Sequence, residues 1–465
     1  MIFPTPEFAL FFLLVLPLSW ALMRLPWAWK PAMLLASYVF YAAADPKFCL
    51  LLAGITVGNQ LAARLITSTE DDRRRGQIVV GAVVADLLVL GIFKYYGFFV
   101  EEILALGDDV GVSIPLPLAT IALPAGVSFY TFQAITYVVD VRRRDLELAS
   151  LTDFALYLSF FPHLVAGPIV RAREFLPQIA SPRDASKVAV GAGIVLIGLG
   201  LVKKLVVADY LARTVVDPVF AVPQGYGGAD VLLAIYAYAA QIYCDFSGYT
   251  DMAIGLALLL GIRFPQNFDR PYASLSFQEF WRRWHMTLSR FLRDFLYVPL
   301  GGNRGGAWKT ARNLMITMML GGLWHGAAWG FVLWGTIHGG FLVLERVLRA
   351  RTDWRPRPWV RWLVAFHLIA LAWVPFRATD LSTAGTLIGR LFEPGAATLW
   401  SPAAVLVVLG VIGTQLAPRK PLAALRTWAE DRGPVVLGGG LALTVLIVGA
   451  LIPSGEIAPF IYFQF

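Results

Sequence analysis

Apolar runs separated by short basic loops set the pattern of this chain from end to end. Segments 8–23, 48–63, 78–93, 188–202, 231–244, 359–376, 400–416 and 434–452 are each long or apolar enough to be membrane helices. Several are short or interrupted, so the pattern predicts an all-α polytopic membrane protein with about 10–12 transmembrane helices. Met1–Phe8 carries no basic n-region and no small-residue cleavage site follows, so the first apolar run is expected to be an uncleaved span. Two regions break the alternation. Phe154–Ile169 and Leu314–Leu344 both have basic loops on each flank, which predicts segments that enter the membrane and return to the same face, tolerated only where protein or a water-filled cavity surrounds them.

A third pattern lies between spans. From Ser276 to Leu296, Phe277, Phe280, Trp281, Trp284, Leu288, Phe291 and Phe295 recur on a helical period, with Glu279, Arg282, Arg283, Arg290, Arg293 and Asp294 on the other face. Ser276 and Glu279 form a capping-box start, and the Trp, Phe and Arg content predicts an amphipathic helix in the cytoplasmic interface. His285 lies on it, where an aromatic-belt role competes with a reactive one.

Composition agrees with the bilayer: 58% of the 465 residues are hydrophobic and 15% charged. The net charge of +8 is not a nucleic-acid footprint, because its Lys and Arg gather in loops. Arg73–Arg75, Arg142–Arg144, Arg171–Lys187, Arg263–Arg312, Arg346–Arg361 and Arg419–Lys420 read as cytoplasmic under the positive-inside rule. Glu101–Pro117 and Gly225–Asp230 lack Lys and Arg and belong on the other side, which puts the N-terminus outside. Two cysteines, Cys49 and Cys244, are too few for a disulfide framework or a zinc site. Pro356–Pro358 and Pro418–Pro421 mark loops rather than boundaries, so residues 1–465 are expected to form one domain, with a core of about 125–345 flanked by 1–124 and 346–465.

Against this background Leu323-Trp324-His325-Gly326 stands out, inside 32 consecutive residues, 313–344, without Asp, Glu, Lys or Arg. At about 1.5 Å per residue, His325 lies roughly 20 Å from Arg312, near the middle of an apolar layer about 30 Å thick. A titratable group at that depth is a functional candidate; the competing reading is a structural histidine bonded to a carbonyl. Gly322, Gly326, Gly330, Gly335 and Gly339 form a small-residue face, read as close helix packing. Asp86, Asp245 and Asp251 suit either a proton path or paired packing groups. His163, His285, His325, His338 and His367 show no i,i+3 or i,i+4 pairing, so no metal site is predicted. Soluble-enzyme signatures are absent, and Gly306-Ala307-Trp308-Lys309-Thr310 lacks the glycine spacing of a phosphate loop.

A lone histidine at depth beside an arginine-rich aromatic helix suits acyl transfer. A neutral imidazole takes the proton of a hydroxyl as it attacks a thioester, burial excludes water, and arginines hold donor phosphates. Composition alone does not choose this over a transporter or flippase, which should show paired internal repeats that the sequence lacks, and a non-catalytic scaffold of a polysaccharide export complex is a third reading.

Nearly end to end, the chain resembles the membrane-bound O-acyltransferase superfamily, in the bacterial branch typified by the membrane acetyltransferase of alginate O-acetylation. The resemblance is carried by Pro124-Ala125-Gly126-Val127-Ser128-Phe129-Tyr130-Thr131-Phe132-Gln133, Ala166-Gly167-Pro168-Ile169 and the run from Gln241 to Asp251. Phe264-Pro265-Gln266-Asn267-Phe268, Glu279 to His285, Tyr297 to Asn303 and Gly321 to Gly326 continue it. It implies a helical bundle with re-entrant segments around a central cleft. It also implies His325 as the catalytic histidine, His285 as the second polar residue of the site, and acetyl-CoA as the donor substrate, with no resident cofactor. The expected donor-binding residues are Arg282, Arg283, Trp284 and Arg304; the expected cleft lining is Trp324, Asp245, Tyr249 and Asn303. His163 departs from a frequent Gln and is read as a polar lining group. The same resemblance implies a bacterial inner-membrane location, a polysaccharide acceptor on the far side, and an exported or anchored SGNH hydrolase-like partner that finishes the transfer.

Overall fold

The computed structural model describes residues 1–111, 121–352, 356–418 and 420–451, and all its regular structure there is helical. The expected loop Glu101–Pro117 is helical as far as Asp109, where the helix Asp72–Asp109 ends, and its residues 112–117, with Arg355, Arg419 and Ile452, lie outside the described residues. Among the described residues, five helices are long and apolar enough to cross a membrane: Lys47–Ser68, Asp72–Asp109, Val190–Ala221, Trp329–Arg351 and Pro358–Arg377. Pro6–Leu22 and Val435–Leu451 are apolar but shorter. The chain is thus an all-α, multi-pass membrane protein, and the predicted apolar segments coincide with helices.

By contacts the chain divides into two compact units, Met1–Ile197 with Asp251–Pro265, and Gly198–Thr250 with Gln266–Phe465. The first contains α1 (Pro6–Leu22), α2 (Pro26–Ala42), α3 (Lys47–Ser68), α4 (Asp72–Asp109), α5 (Val127–Arg143), α6 (Leu151–Ser159), α7 (Phe161–Leu164) and α8 (Ala172–Ile179). Proline opens α1 and α2, where a missing N–H costs nothing. The rings of Phe3, Phe8, Phe12, Phe40 and Phe161 pack together. Polar side chains meet between helices: Asn59 Nδ2 donates to Asp86 Oδ1 at 2.9 Å, and Tyr137 OH donates to Gln60 Oε1 at 3.0 Å. Asp86 is therefore a packing partner. The predicted Phe154–Ile169 irregularity is real, since α6 ends at Ser159 and the four-residue α7 follows Phe160, all of it buried. His163 lies there fully buried, its Nε2–H donating to the Tyr157 carbonyl at 2.7 Å, a bond that makes it a structural histidine.

The second unit carries most of the residues singled out above. Helix α9 (Val190–Ala221) enters it with two stretches wound more widely than an α-helix, Val202–Ala208 and Ala212–Val216. Such bulges occur frequently at functional sites. Further along come α10 (Gly228–Leu259), α11 (Phe277–Arg283), α12 (Met286–Leu292), α13 (Ala307–His325), α14 (Trp329–Arg351) and α15 (Pro358–Arg377), followed by α16 (Leu381–Arg390), α17 (Pro402–Leu416), α18 (Lys420–Glu430) and α19 (Pro434–Leu451).

The expected single amphipathic helix over Ser276–Leu296 is broken. Ser276 Oγ accepts from the Glu279 N–H at 3.1 Å as predicted, but Glu279 Oε2 reaches back to the Leu275 N–H rather than to Ser276. The helix then stops at Arg283, because Trp284 is extended and His285 takes a left-handed conformation, φ +41° and ψ +54°. A helical period cannot reveal this break, since the aromatic spacing continues across it.

Candidate functional site

The tip of a helical hairpin holds His325. Helix α13 ends at His325 because Gly326 is extended, and α14 begins three residues later at Trp329. The two helices run back along each other on glycines. A Cβ at Gly322 would lie 2.2 Å from the Phe331 carbonyl oxygen, and one at Gly335 would lie 2.3 Å from that of Met318. On α14, a Cβ at Gly330 would meet the Pro375 oxygen of α15 at 2.3 Å. The glycine pattern is thus a packing device, as read, and what it packs is the support for His325.

Around His325, which is 4% exposed, stand Trp324 (ring centroids 5.0 Å apart), Trp334 (5.1 Å) and Phe376 (5.1 Å). Trp324 also touches His285 at 6.0 Å, so one indole links the two histidines. His285 is fully buried, with Phe246 edge-on at 4.7 Å. Burial pushes its imidazole down to about 3, so the ring is neutral at physiological pH. Its Nδ1 lies 3.2 Å from Asn267 Oδ1. His338, one turn beyond Trp334, accepts at Nδ1 from Trp281 Nε1 at 3.3 Å.

Several buried polar atoms here have no hydrogen-bond partner among the described residues: His285 Nε2, Asn267 Nδ2, Trp334 Nε1 and His338 Nε2. Buried polar groups are normally satisfied. Orphans gathered around two histidines mark an interior suited to hold water or substrate.

Beside this cluster opens a cavity of about 880 Å³, lined by Trp281, Arg282, Arg290, Arg293, Arg346 and Arg349 among others, with Glu345 as the acidic member. Trp281 connects it inward, because its ring lies 5.6 Å from Trp334, which in turn contacts His325. Arg349 pairs with Glu345 and Arg293 Nε with Asp294 Oδ1 at 2.7 Å, so the lining keeps a net positive charge of the kind that suits a polyanion.

The predicted residues therefore separate. His325, His285 and Trp324 come together. Arg282 lines the basic cavity, whereas Arg283 pairs with Glu279, and Trp284 is packed between Phe268 and Trp373 at 5.0 Å from each. Asn303 and Arg304 are exposed in the turn before α13. Asp245 belongs to another cluster, in which Lys204 Nζ lies 2.7 Å from Asp245 Oδ1 and 2.8 Å from Asp209 Oδ1, all three buried, with the Tyr249 ring 6.0 Å from the ammonium. Sequence reading missed Asn267 and the part of Arg346 and Arg349 in the same cavity lining, while Arg290 and Arg293 belong to the arginine-bearing face expected to hold donor phosphates. The arginines were visible as an α11–α12 face, but their meeting with α14 depends on the hairpin.

Residues 121–374 match the family model described as MBOAT, membrane-bound O-acyltransferase family. The chain is 43% identical over 393 residues to a probable alginate O-acetylase AlgI of Azotobacter vinelandii, covering 84% of this chain and 78% of the relative. It is 34% identical to a peptidoglycan O-acetyltransferase of Helicobacter pylori, covering 83% and 78%. Against a teichoic acid D-alanyltransferase of Streptococcus thermophilus the identity is 30%, over 54% of this chain and 67% of that one.

Proposed function

Because the chain belongs to the membrane-bound O-acyltransferase family, we propose that this O-acyltransferase moves acetyl from cytosolic acetyl-CoA across the bacterial inner membrane to the hydroxyls of an exopolysaccharide, with His325 as general base. The observation that carries the reading is one continuous run of contacts. The arginine-lined cavity meets Trp281, Trp281 meets Trp334, and Trp334 meets buried His325. Phosphates of a coenzyme donor are held by Arg282, Arg290, Arg293, Arg346 and Arg349, and the thioester end extends past the indoles toward the hairpin tip. There His325 takes the hydroxyl proton as the alcohol oxygen attacks the thioester carbonyl. The C–S bond breaks, the thiolate leaves and takes up a proton, and the ester oxygen stays with the sugar. General-base help of this kind contributes about 10²–10⁴-fold. Exclusion of bulk water by Trp324, Trp334 and Phe376 protects the thioester from hydrolysis.

Names of the relatives support a cell-envelope polysaccharide acceptor. On the far side of the membrane an exported or anchored SGNH hydrolase-like partner takes the ester made at His325 as its own donor and finishes the transfer to the polymer, so the chain's role ends at that ester. A transporter reading is separated by one substitution: His325→Ala abolishes polymer acetylation and leaves polymer export intact if the chain is the enzyme, and stops export if it is the conduit. The paired state of Asp245, held 2.7 Å from buried Lys204 Nζ, favours the enzyme over a proton or ion path.

A further inference from the structure

The chain segment just after Pro265 holds His285 from three directions. The Asp269 N–H donates to the Arg283 carbonyl and the Met286 N–H to the Asn267 carbonyl, both at 2.9 Å, so 267–269 is tied to the backbone on either side of His285. Between these ties the Asn267 side chain accepts at Oδ1 from the Thr287 N–H at 3.2 Å and from Thr287 Oγ1 at 2.9 Å. The same oxygen lies 3.2 Å from His285 Nδ1.

These contacts fix two ambiguities. A backbone N–H can only donate, so the Asn267 atom facing Thr287 is its oxygen, and the amide cannot be flipped. An amide oxygen can only accept, so His285 Nδ1 carries the proton, and in a neutral ring Nε2 is left as a bare lone pair. That lone pair is buried and has no hydrogen-bond partner among the described residues. The left-handed backbone of His285 is uncommon for a residue other than glycine, histidine being with asparagine and aspartate among those most often found there. The ties from 267–269 hold it there.

We propose that Asn267 is a positioning residue for the acyl transfer: it locks the backbone turn and the ring tautomer of His285, so that His285 presents an acceptor, not a donor, to whatever fills the interior beside Trp324. His285 therefore positions the acceptor by taking a hydrogen bond from a hydroxyl other than the reacting one, whose single proton goes to His325, and does not serve as an oxyanion donor in its resting state. This rests on the acyl-transfer reading for its consequence, but the tautomer itself does not.

The direct test is solid-state ¹⁵N spectroscopy of the full-length protein in lipid, labelled at histidine, with the His285 signal assigned by its loss in His285→Asn. That variant suits a left-handed backbone. The expected spectrum is a neutral ring protonated at Nδ1 and bare at Nε2, with Asn267→Ala redistributing the proton toward Nε2. Should Asn267→Ala fail to fold, the isosteric Asn267→Asp replaces it; a carboxylate beside Nδ1 favours the imidazolium, so the ring charges at higher pH than in the wild type. A resting ring protonated at Nε2, or a tautomer and titration indifferent to both substitutions, overturns the proposal.

Activity separates the proposal from the reading beneath it. With acetyl-CoA as donor and a mannuronate oligosaccharide as probe acceptor, Asn267→Ala should lower kcat roughly 10- to 100-fold, in the range of other oriented-histidine supports. In a His285→Asn background the same change should cost nothing further. For Asn267→Asp the acid limb of kcat/KM should move to higher pH, because the neutral ring is lost sooner as pH falls. If His285→Asn keeps wild-type rates, the catalytic part of the reading fails while the spectrum still decides the tautomer. If His285→Asn is inactive and Asn267→Ala is not, the positioning role fails alone.

Discussion

Replacing Gly322 by alanine tests how the hairpin positions its histidine. The added Cβ would stand 2.2 Å from the Phe331 carbonyl oxygen and 3.2 Å from the Gly335 backbone, whereas ordinary contact begins at 3.4 Å. Backbone cannot rotate aside as a side chain can, so α13 and α14 must separate locally by about 1.2 Å, the difference between 2.2 and 3.4 Å. Overpacking of this kind costs about 1–3 kcal/mol, and a 1 Å misplacement of a catalytic group costs on the order of 100-fold in rate. Gly322 is one turn from His325, so both effects fall on the tip. Gly340→Ala on α14 is the internal control, because a Cβ there meets nothing within 4 Å. It should be neutral or stabilising by about 0.5–1 kcal/mol, the ordinary gain from alanine in a helix. Thermal unfolding in detergent and acetyl transfer in native membranes read the two consequences. If Gly322→Ala and Gly340→Ala melt alike and work alike, the glycines do not set the position of His325.

Three further outcomes follow from the cavity, the buried triad and the histidine. Arg290→Ala combined with Arg346→Ala should raise KM for acetyl-CoA at least tenfold with a smaller change in kcat, because the lost contacts are to a remote part of the donor; steady-state kinetics over a donor series checks this, and an unchanged KM refutes the phosphate assignment. Lys204→Met removes the ammonium between Asp209 and Asp245, and breaking a buried ion pair from one side costs about 3–5 kcal/mol, so its melting should fall well below that of Gly340→Ala; a loss under about 1 kcal/mol contradicts a structural role for the triad. His285, with its imidazole depressed to about 3 against an ordinary value of 6.5, stays neutral in the fold while the unfolded chain takes up the proton. The unfolded state binds more protons in that window, so stability from this residue is whole above about pH 6.5 and is lost as pH falls toward 3, by roughly 1 kcal/mol at pH 5.5; His285→Asn should flatten that part of the stability profile.

The membrane class, the helical content and the burial of His325 were legible because each rests on local signals: apolar length, basic loops, and a titratable group inside an uncharged run; His285 stood out only through the family resemblance. The hairpin was foreshadowed by basic flanks on both sides of Leu314–Leu344, and its glycines by their spacing. Other features depend on residues far apart in the chain. The break at His285 is imposed from Asn267, 18 residues upstream, through contacts that leave no periodic trace. Arg290 and Arg293 share a cavity with Arg346 and Arg349 only because α14 returns beside α11, where Arg349 Nη1 donates to Gln278 Oε1 at 3.0 Å. Asp245 reads as an isolated carboxylate in its apolar helix until Lys204, 41 residues earlier, is seen to face it. Charge placement marks which segments cross; it carries no record of which side chains meet once they have crossed.

Proteoliposomes supplied with radiolabelled acetyl-CoA on the cytosolic side and a soluble oligosaccharide on the other test the central claim most directly, comparing wild type with His325→Gln. Glutamine keeps polarity but cannot take a proton near neutral pH, so donor binding should survive while label transfer falls by about 10²-fold or more. Transfer at the wild-type rate by His325→Gln would show that no base acts at the hairpin tip.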